Sequence, residues 1–208
     1  MKKLLALSFF SMFVASQAHA GFISTVEGDD MAGISVKVTL EDDSTETIVW
    51  TATGVDSGGA FGSLGIDGWN LTEVGDTIGG LIPPLFGVWT LNNYTGQAIK
   101  ELFVDLSGTD FVFDTLFDDV SLNGSLAGRE FTYDDRFASV MPTFSMQYMD
   151  ELYKGLTITG SQGNLLADGA SFEFMIDTDM VTVPAPATLS IFALSLLGLA
   201  VRSRRKQA

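Results

Sequence analysis

The chain contains no cysteine, and its single histidine, His19, lies within twenty residues of the start. Residues 21–182 therefore offer neither thiolate nor imidazole. That excludes Ser-His-Asp and Cys-His nucleophilic catalysis, both of which need an imidazole base. It also excludes zinc sites built from those ligands. Disulfides cannot brace the fold, so stability must come from burial and backbone hydrogen bonds. Positive charge is scarce as well. Residues 21–182 hold all 26 acidic residues and only five basic ones, Lys37, Lys100, Arg129, Arg136 and Lys154, for a formal charge of −21. Such a surface repels nucleic acid and anionic lipid. Within 21–182 there is no Gly-x-x-x-x-Gly-Lys phosphate loop and no Ser-x-x-Lys pair.

What is present divides the chain into three. Met1-Lys2-Lys3 precedes an apolar run from Leu4 to Val14, and Ala18-His19-Ala20 follows. A basic start, a short apolar stretch and a small-x-small end are the parts of a secretory signal peptide. Cleavage is expected after Ala20, leaving Gly21 first, which implicates the secretion translocon and signal peptidase. Residues 21–182, about 160 in number, suit one domain. At the other end stands the box Val183-Pro184-Ala185-Pro186, then an apolar run over 187–201 and the basic cluster Arg202, Arg204, Arg205 and Lys206. A run of 15 residues, with Thr188, Ser190 and Ser195 as its only polar members, is short for a transmembrane helix, but snorkelling arginines extend the reach. The basic cluster is expected to stay cytoplasmic, with the domain outside and the inner membrane crossed once.

A Val-Pro-x-Pro box, an apolar helix and an arginine cluster together resemble the PEP-CTERM sorting tail of Gram-negative bacteria. Ala185 stands where that family usually has glutamate. The resemblance covers residues 183–206. It implies export, recognition by an exosortase-type enzyme, cleavage near the box, and association with the cell surface or extracellular polysaccharide.

Within the domain the pattern predicts an all-β fold, an antiparallel sandwich or jelly roll. Ile34, Val36, Val38 and Leu40 alternate with Ser35, Lys37, Thr39 and Glu41; Ile48, Trp50 and Ala52 with Thr47, Val49, Thr51 and Thr53; Leu102, Val104 and Leu106 with Glu101, Phe103 and Asp105; and Phe172, Phe174 and Ile176 with Ser171, Glu173, Met175 and Asp177. Glu41-Asp42-Asp43-Ser44 suggests a hairpin, and Asn92 to Gly96, Asn123-Gly124 and Asp168-Gly169 suggest further turns. Glycine-rich 54–80 reads as irregular loop. A helix over 145–154 competes with strand alternation of Phe144, Met146 and Tyr148.

No catalytic residue is identified, and the domain reads as non-enzymatic. A glycan-active enzyme would need a carboxylate pair, for which Asp118, Asp119, Asp134 and Asp135 are available without distinction. No cofactor is required by the pattern; calcium, which takes six to eight oxygens, is the one cation that the acids could serve. Asp177 with Asp179, and Asp118 with Asp119, are the pairs singled out, beside the doublets Asp29-Asp30, Asp42-Asp43 and Asp134-Asp135. A lectin-like reading rests on Trp69, whose glycine-rich setting predicts an exposed ring, whereas Trp50 and Trp89 fall on core faces. Threonine pairs at 45/47, 51/53 and 157/159 are too scattered for a flat ice-binding face.

Overall fold

The computed structural model describes residues 21–77, 87–116, 128–133, 140–149 and 151–182. The expected signal peptide with Ala18 and Ala20, the box Val183 to Pro186, the apolar run 187–201 and the basic residues Arg202 to Lys206 lie outside the described residues. So do Asp118, Asp119, Asn123, Gly124, Asp134 and Asp135. Among the described residues there are strands and no helix, and no helix long and apolar enough to cross a membrane.

Residues Phe22–Val181 form one compact unit. Its strands in chain order are β1 (Gly21–Thr25), β2 (Ser35–Leu40), β3 (Thr45–Val49), β4 (Thr51–Gly54), β5 (Ser57–Gly62), β6 (Trp69–Val74) and β7 (Val88–Asn93). There follow β8 (Ile99–Asp105), β9 (Phe111–Asp114), β10 (Thr132–Tyr133), β11 (Val140–Met149), β12 (Leu152–Gly160), β13 (Ser171–Met175) and β14 (Asp177–Thr182). One sheet runs β1-β14-β9-β12-β8-β2-β3, with β11 also paired to β12; the other runs β10-β13-β7-β6-β5-β4. The assigned pairings between strands are antiparallel.

Period-two alternation selects the faces that meet. Val36, Val38 and Leu40 of β2 and Leu102 and Val104 of β8 point inward from the first sheet. Trp69 and Leu71 of β6, Trp89 and Leu91 of β7, and Phe172 and Phe174 of β13 answer from the second. The centre is aromatic: the Trp50 and Trp89 ring centroids are 5.1 Å apart, and Trp89 stacks on Phe174 at 5.7 Å. Truncating any one of these indoles to alanine costs about 3–5 kcal/mol.

Two expectations are corrected, and one that was open is decided. The alternation through Trp50 does not continue to Ala52, which is exposed. Trp50 is the corner at which the chain leaves β3, at the edge of one sheet, for β4, at the edge of the other. Its backbone pairs with the β2 approach, its N–H donating to Ile34 O at 2.8 Å while its carbonyl accepts from Gly33 N at 3.0 Å. Glycine-rich 54–80 is not all loop, because β5 and β6 lie in it. Gly58 and Gly59 serve close packing inside β5. A Cβ at Gly58 would collide with Gly28 O and the Trp50 ring nitrogen, and one at Gly59 would lie 2.9 Å from Leu71 O. Of the alternatives left open for 145–154, strand holds: β11 runs to Met149 and β12 starts at Leu152, paired as a hairpin with a register shift between Gln147 and Met149 and with Met146 at φ 54°. The hairpin at Glu41–Ser44 joins β2 and β3 as expected, with Asp43 at φ 65°.

Two crossovers between the sheets meet at one end, around Asn93. This fully buried side chain donates from Nδ2 to Gln97 O at 2.8 Å and to Leu166 O at 3.1 Å. Its Oδ1 accepts from Thr95 N at 3.1 Å and Thr95 Oγ1 at 2.9 Å. The β7–β8 and β12–β13 connections are thereby stapled to each other.

Candidate functional site: an acidic end of the sandwich

The register of β6 with β7, Trp69 opposite Asn93 and Val74 opposite Val88, sends β6 away from the crossovers to the far end of the molecule. There three segments distant in sequence are laced together by backbone hydrogen bonds. Gly28 N donates to Gly75 O at 3.3 Å, Gly75 N to Asp56 O at 2.6 Å, and Thr77 N to Val26 O at 3.0 Å. Glu27 and Asp76 form an isolated antiparallel bridge. The lacing gathers Glu27, Asp29, Asp56, Glu73 and Asp76 into one place.

Glu27, Asp29 and Asp56 each put a carboxylate oxygen within 4.8 Å of the other two. Asp56 reaches this position from a left-handed backbone, φ 55°, in the β4–β5 turn. A hydrogen bond to the Asp56 carboxyl, and then the charge of that group, raise the Glu27 carboxyl above the usual range. Glu73 lies on the inward row of β6, behind Trp69 and Leu71, and is 0% exposed. Neither of its carboxylate oxygens has a hydrogen-bond partner. Burial, and then the charges of Asp76, Glu27 and Asp29, push it up to about 9. The chain passes directly over this carboxylate at Gly28, where a Cβ would lie 2.6 Å from both Glu73 O and Glu73 Oε2. Trp50 fixes the same point from inside, its Nε1 donating to Gly28 O at 2.8 Å.

A second acidic group adjoins the first. Asp177 and Asp179 sit on β14 and Asp114 opposite Asp177 on β9, all three buried. Thr77 Oγ1 accepts from Thr178 N and lies 3.1 Å from both Asp177 Oδ1 and Thr178 O. Burial drives Asp177 up to about 7 against the Thr77 hydrogen bond. Burial first, then the charges of Asp177, Asp114 and Asp76, drive Asp179 up to about 8. Asp179 Oδ2 has no hydrogen-bond partner. The Asp76 charge acts on Glu73, Asp177 and Asp179 alike, so the two groups are electrostatically continuous.

Of the residues singled out in the sequence, Asp177 and Asp179 thus lie together on a strand, and Asp29 lies with Glu27 and Asp56. Asp42 and Asp43 belong to hairpin chemistry: Asp42 Oδ1 accepts from Ser44 N at 2.9 Å, and Asp43 pairs with Lys100 at 2.5 Å. Trp69 is a correction. It is 2% exposed, and its Nε1 donates to Glu46 Oε2 at 2.9 Å, so it presents no face to a sugar. Glu46 also accepts from Ser63 N and Leu64 N at 2.9 Å each; burial opposes its ionisation, but these donors outweigh it and hold its carboxyl low. A Cβ at Gly62 would strike the Trp69 indole and Glu46, so the glycine permits the ring to pack rather than freeing it. Glu27, Asp56, Glu73 and Asp114 were not singled out; only Glu73, an acid in register with Trp69 and Leu71, left a readable trace.

The sequence model of the PEP-CTERM protein-sorting motif matches residues 182–206. The chain carries a PEP-CTERM sorting motif. No curated protein and no solved structure matches the chain. The PEP-CTERM motif marks an exported protein, processed by an exosortase-type sorting enzyme and anchored at the membrane through its C-terminus. It begins at Thr182, the last residue of β14, so no spacer separates the sheet from the motif.

Proposed function

We propose that this protein is a non-enzymatic component of the cell surface or extracellular matrix. It enters the secretion translocon by a signal peptide over 1–20 that signal peptidase removes after Ala20. The apolar run 187–201 holds it in the inner membrane until an exosortase-type enzyme acts at Val183 to Pro186 and releases it toward extracellular polysaccharide. The observation that carries this reading is the PEP-CTERM match at 182–206. Supporting it are the basic-apolar-small pattern of the first twenty residues and a domain with neither histidine nor cysteine.

Mass spectrometry of the protein recovered from envelope and extracellular fractions of an exosortase-bearing host tests it. The expected species begins at Gly21 and lacks the apolar run and basic cluster. Recovery of intact residues 1–208 from the cytosol, or an unprocessed tail in the presence of the sorting enzyme, overturns the reading.

A further inference from the structure

Three carboxylates and one buried, unpartnered carboxylate behind them occupy the far end of the sandwich, and the described geometry brings them together for no evident packing gain. Carboxylates crowded in this way repel one another, and shared protons or a cation relieve that repulsion. The arrangement favours a cation. Glu27 and Asp29 flank Gly28 on one segment, and Asp56 approaches from another, through a strained left-handed turn. Their oxygens span 4.8 Å or less. Oxygens on opposite sides of a calcium ion, each at about 2.3–2.6 Å, are separated by about 5 Å. Three carboxylates, mono- or bidentate, supply between three and six of the six to eight oxygens calcium takes, and water completes the shell. All-oxygen donors without imidazole or thiolate disfavour zinc and copper. Glu73 is the independent sign. An acid with both oxygens unpartnered is buried under the loop that joins two of the ligands, with Oε2 against Gly28. A divalent ion above it gives those oxygens the electrostatic partner that the chain does not supply.

We propose that Glu27, Asp29 and Asp56 bind a calcium ion, with the buried, unpartnered Glu73 carboxyl supporting it from beneath. The ion cross-links the β1–β2 connection to the β4–β5 turn, which the backbone bonds at Gly75 and Thr77 already bring to the end of β6. Asp177 and Asp179, in the adjoining buried group on β14, are not among the proposed ligands.

The test uses the full chain in detergent micelles at pH 8, freed of divalent ions by a chelator that is then removed. Calcium chloride is titrated by calorimetry, and terbium is titrated with excitation of the tryptophans, Trp50 being bonded to Gly28. The expected result is terbium luminescence displaced by calcium, and a melting temperature that rises in millimolar calcium. Asp29→Asn and Asp56→Asn each weaken binding about tenfold or more, whereas Asp42→Asn, in the β2–β3 hairpin, leaves it unchanged. Glu73→Gln keeps all three ligands and weakens binding about tenfold, because glutamine cannot give up a proton as the ion arrives. Absence of both heat and luminescence in the unsubstituted chain overturns the proposal. So does equal weakening by Asp42→Asn, which reduces the effect to diffuse surface charge. Should Asp56→Asn fail to fold, Asp29→Asn and Glu73→Gln decide, and unchanged affinity in both refutes the site.

Discussion

Replacing Glu73 by glutamine should stabilise this protein, and by more as the pH rises. In the folded chain the Glu73 carboxyl is pushed up to about 9, against 4.5 for an ordinary glutamate. The folded state therefore keeps a proton that the unfolded state has released. For an acid raised on folding, the stability linked to that proton is complete below pH 4.5 and is lost as pH climbs through the folded value. The loss runs at about 1.4 kcal/mol per pH unit. Glu73 is fully buried, so solvent screening takes little from this figure. By pH 7 about 3 kcal/mol has gone. Glutamine has nearly the same shape as the protonated acid and leaves a comparable unpartnered group, so its own burial cost largely cancels. In calcium-free buffer at pH 7, Glu73→Gln is expected to gain about 3 kcal/mol. For a domain of this size that is about 6–12 °C in melting temperature. Thermal unfolding followed by tryptophan fluorescence from pH 4.5 to 9 reads it directly. The two chains should melt together at the acid end and diverge steadily above it. The residual slope in the variant belongs to Asp177 and Asp179, raised to about 7 and about 8. Parallel curves, or a variant that melts lower throughout, would refute the reasoning.

Glu46→Gln should behave in the opposite sense. Glu46 is held below the ordinary value by its donors, so its contribution is present above pH 4.5 and is lost as pH falls through the lowered folded value. Glutamine cannot accept from Ser63 N, Leu64 N and Trp69 Nε1 together, and about 2 kcal/mol should be lost at pH 7 in urea unfolding. Asn93→Ala takes one donor from the carbonyls of Gln97 and Leu166, which keep Thr95 Oγ1 and Ile99 N, and leaves the Thr95 N–H without its partner, costing about 2 kcal/mol, and amide exchange should rise first in residues 94–98 and 165–170.

Much of the strand pattern was legible because burial on one face writes itself as period two: β2, β8 and β13 lie where Ile34 to Leu40, Leu102 to Leu106 and Phe172 to Ile176 placed them. Alternation carries no mark of which sheet a strand joins. The row through Ile48, Trp50 and Ala52 therefore read as one strand, although the chain changes sheets at Trp50. Glycine misled in the opposite direction. At Gly58, Gly59 and Gly62 its missing side chain makes room for Trp50, Leu71 and Trp69, a role that composition cannot distinguish from a flexible loop. Hence Trp69 read as exposed when it is sealed in. The acidic end was the least legible. Its members come from residues 27–29, 56, 73–76, 114 and 177–179, and only non-local pairing unites them. Among 26 acids, sequence neighbours such as Asp42-Asp43 form visible doublets, while the isolated Glu27 and Asp56 carry no pattern of their own and Glu73 only its place in the row of Trp69 and Leu71.

The strand that runs into the sorting motif is also an interior one. β14 is bordered by β9 on one side and β1 on the other, and Val181 N still bonds Asp110 O one residue before the motif begins. Tension transmitted along the tail is therefore taken up by two ladders at once, not peeled from a free border one bond at a time. A pull applied at Thr182 is shared between two flanking strands from the outset.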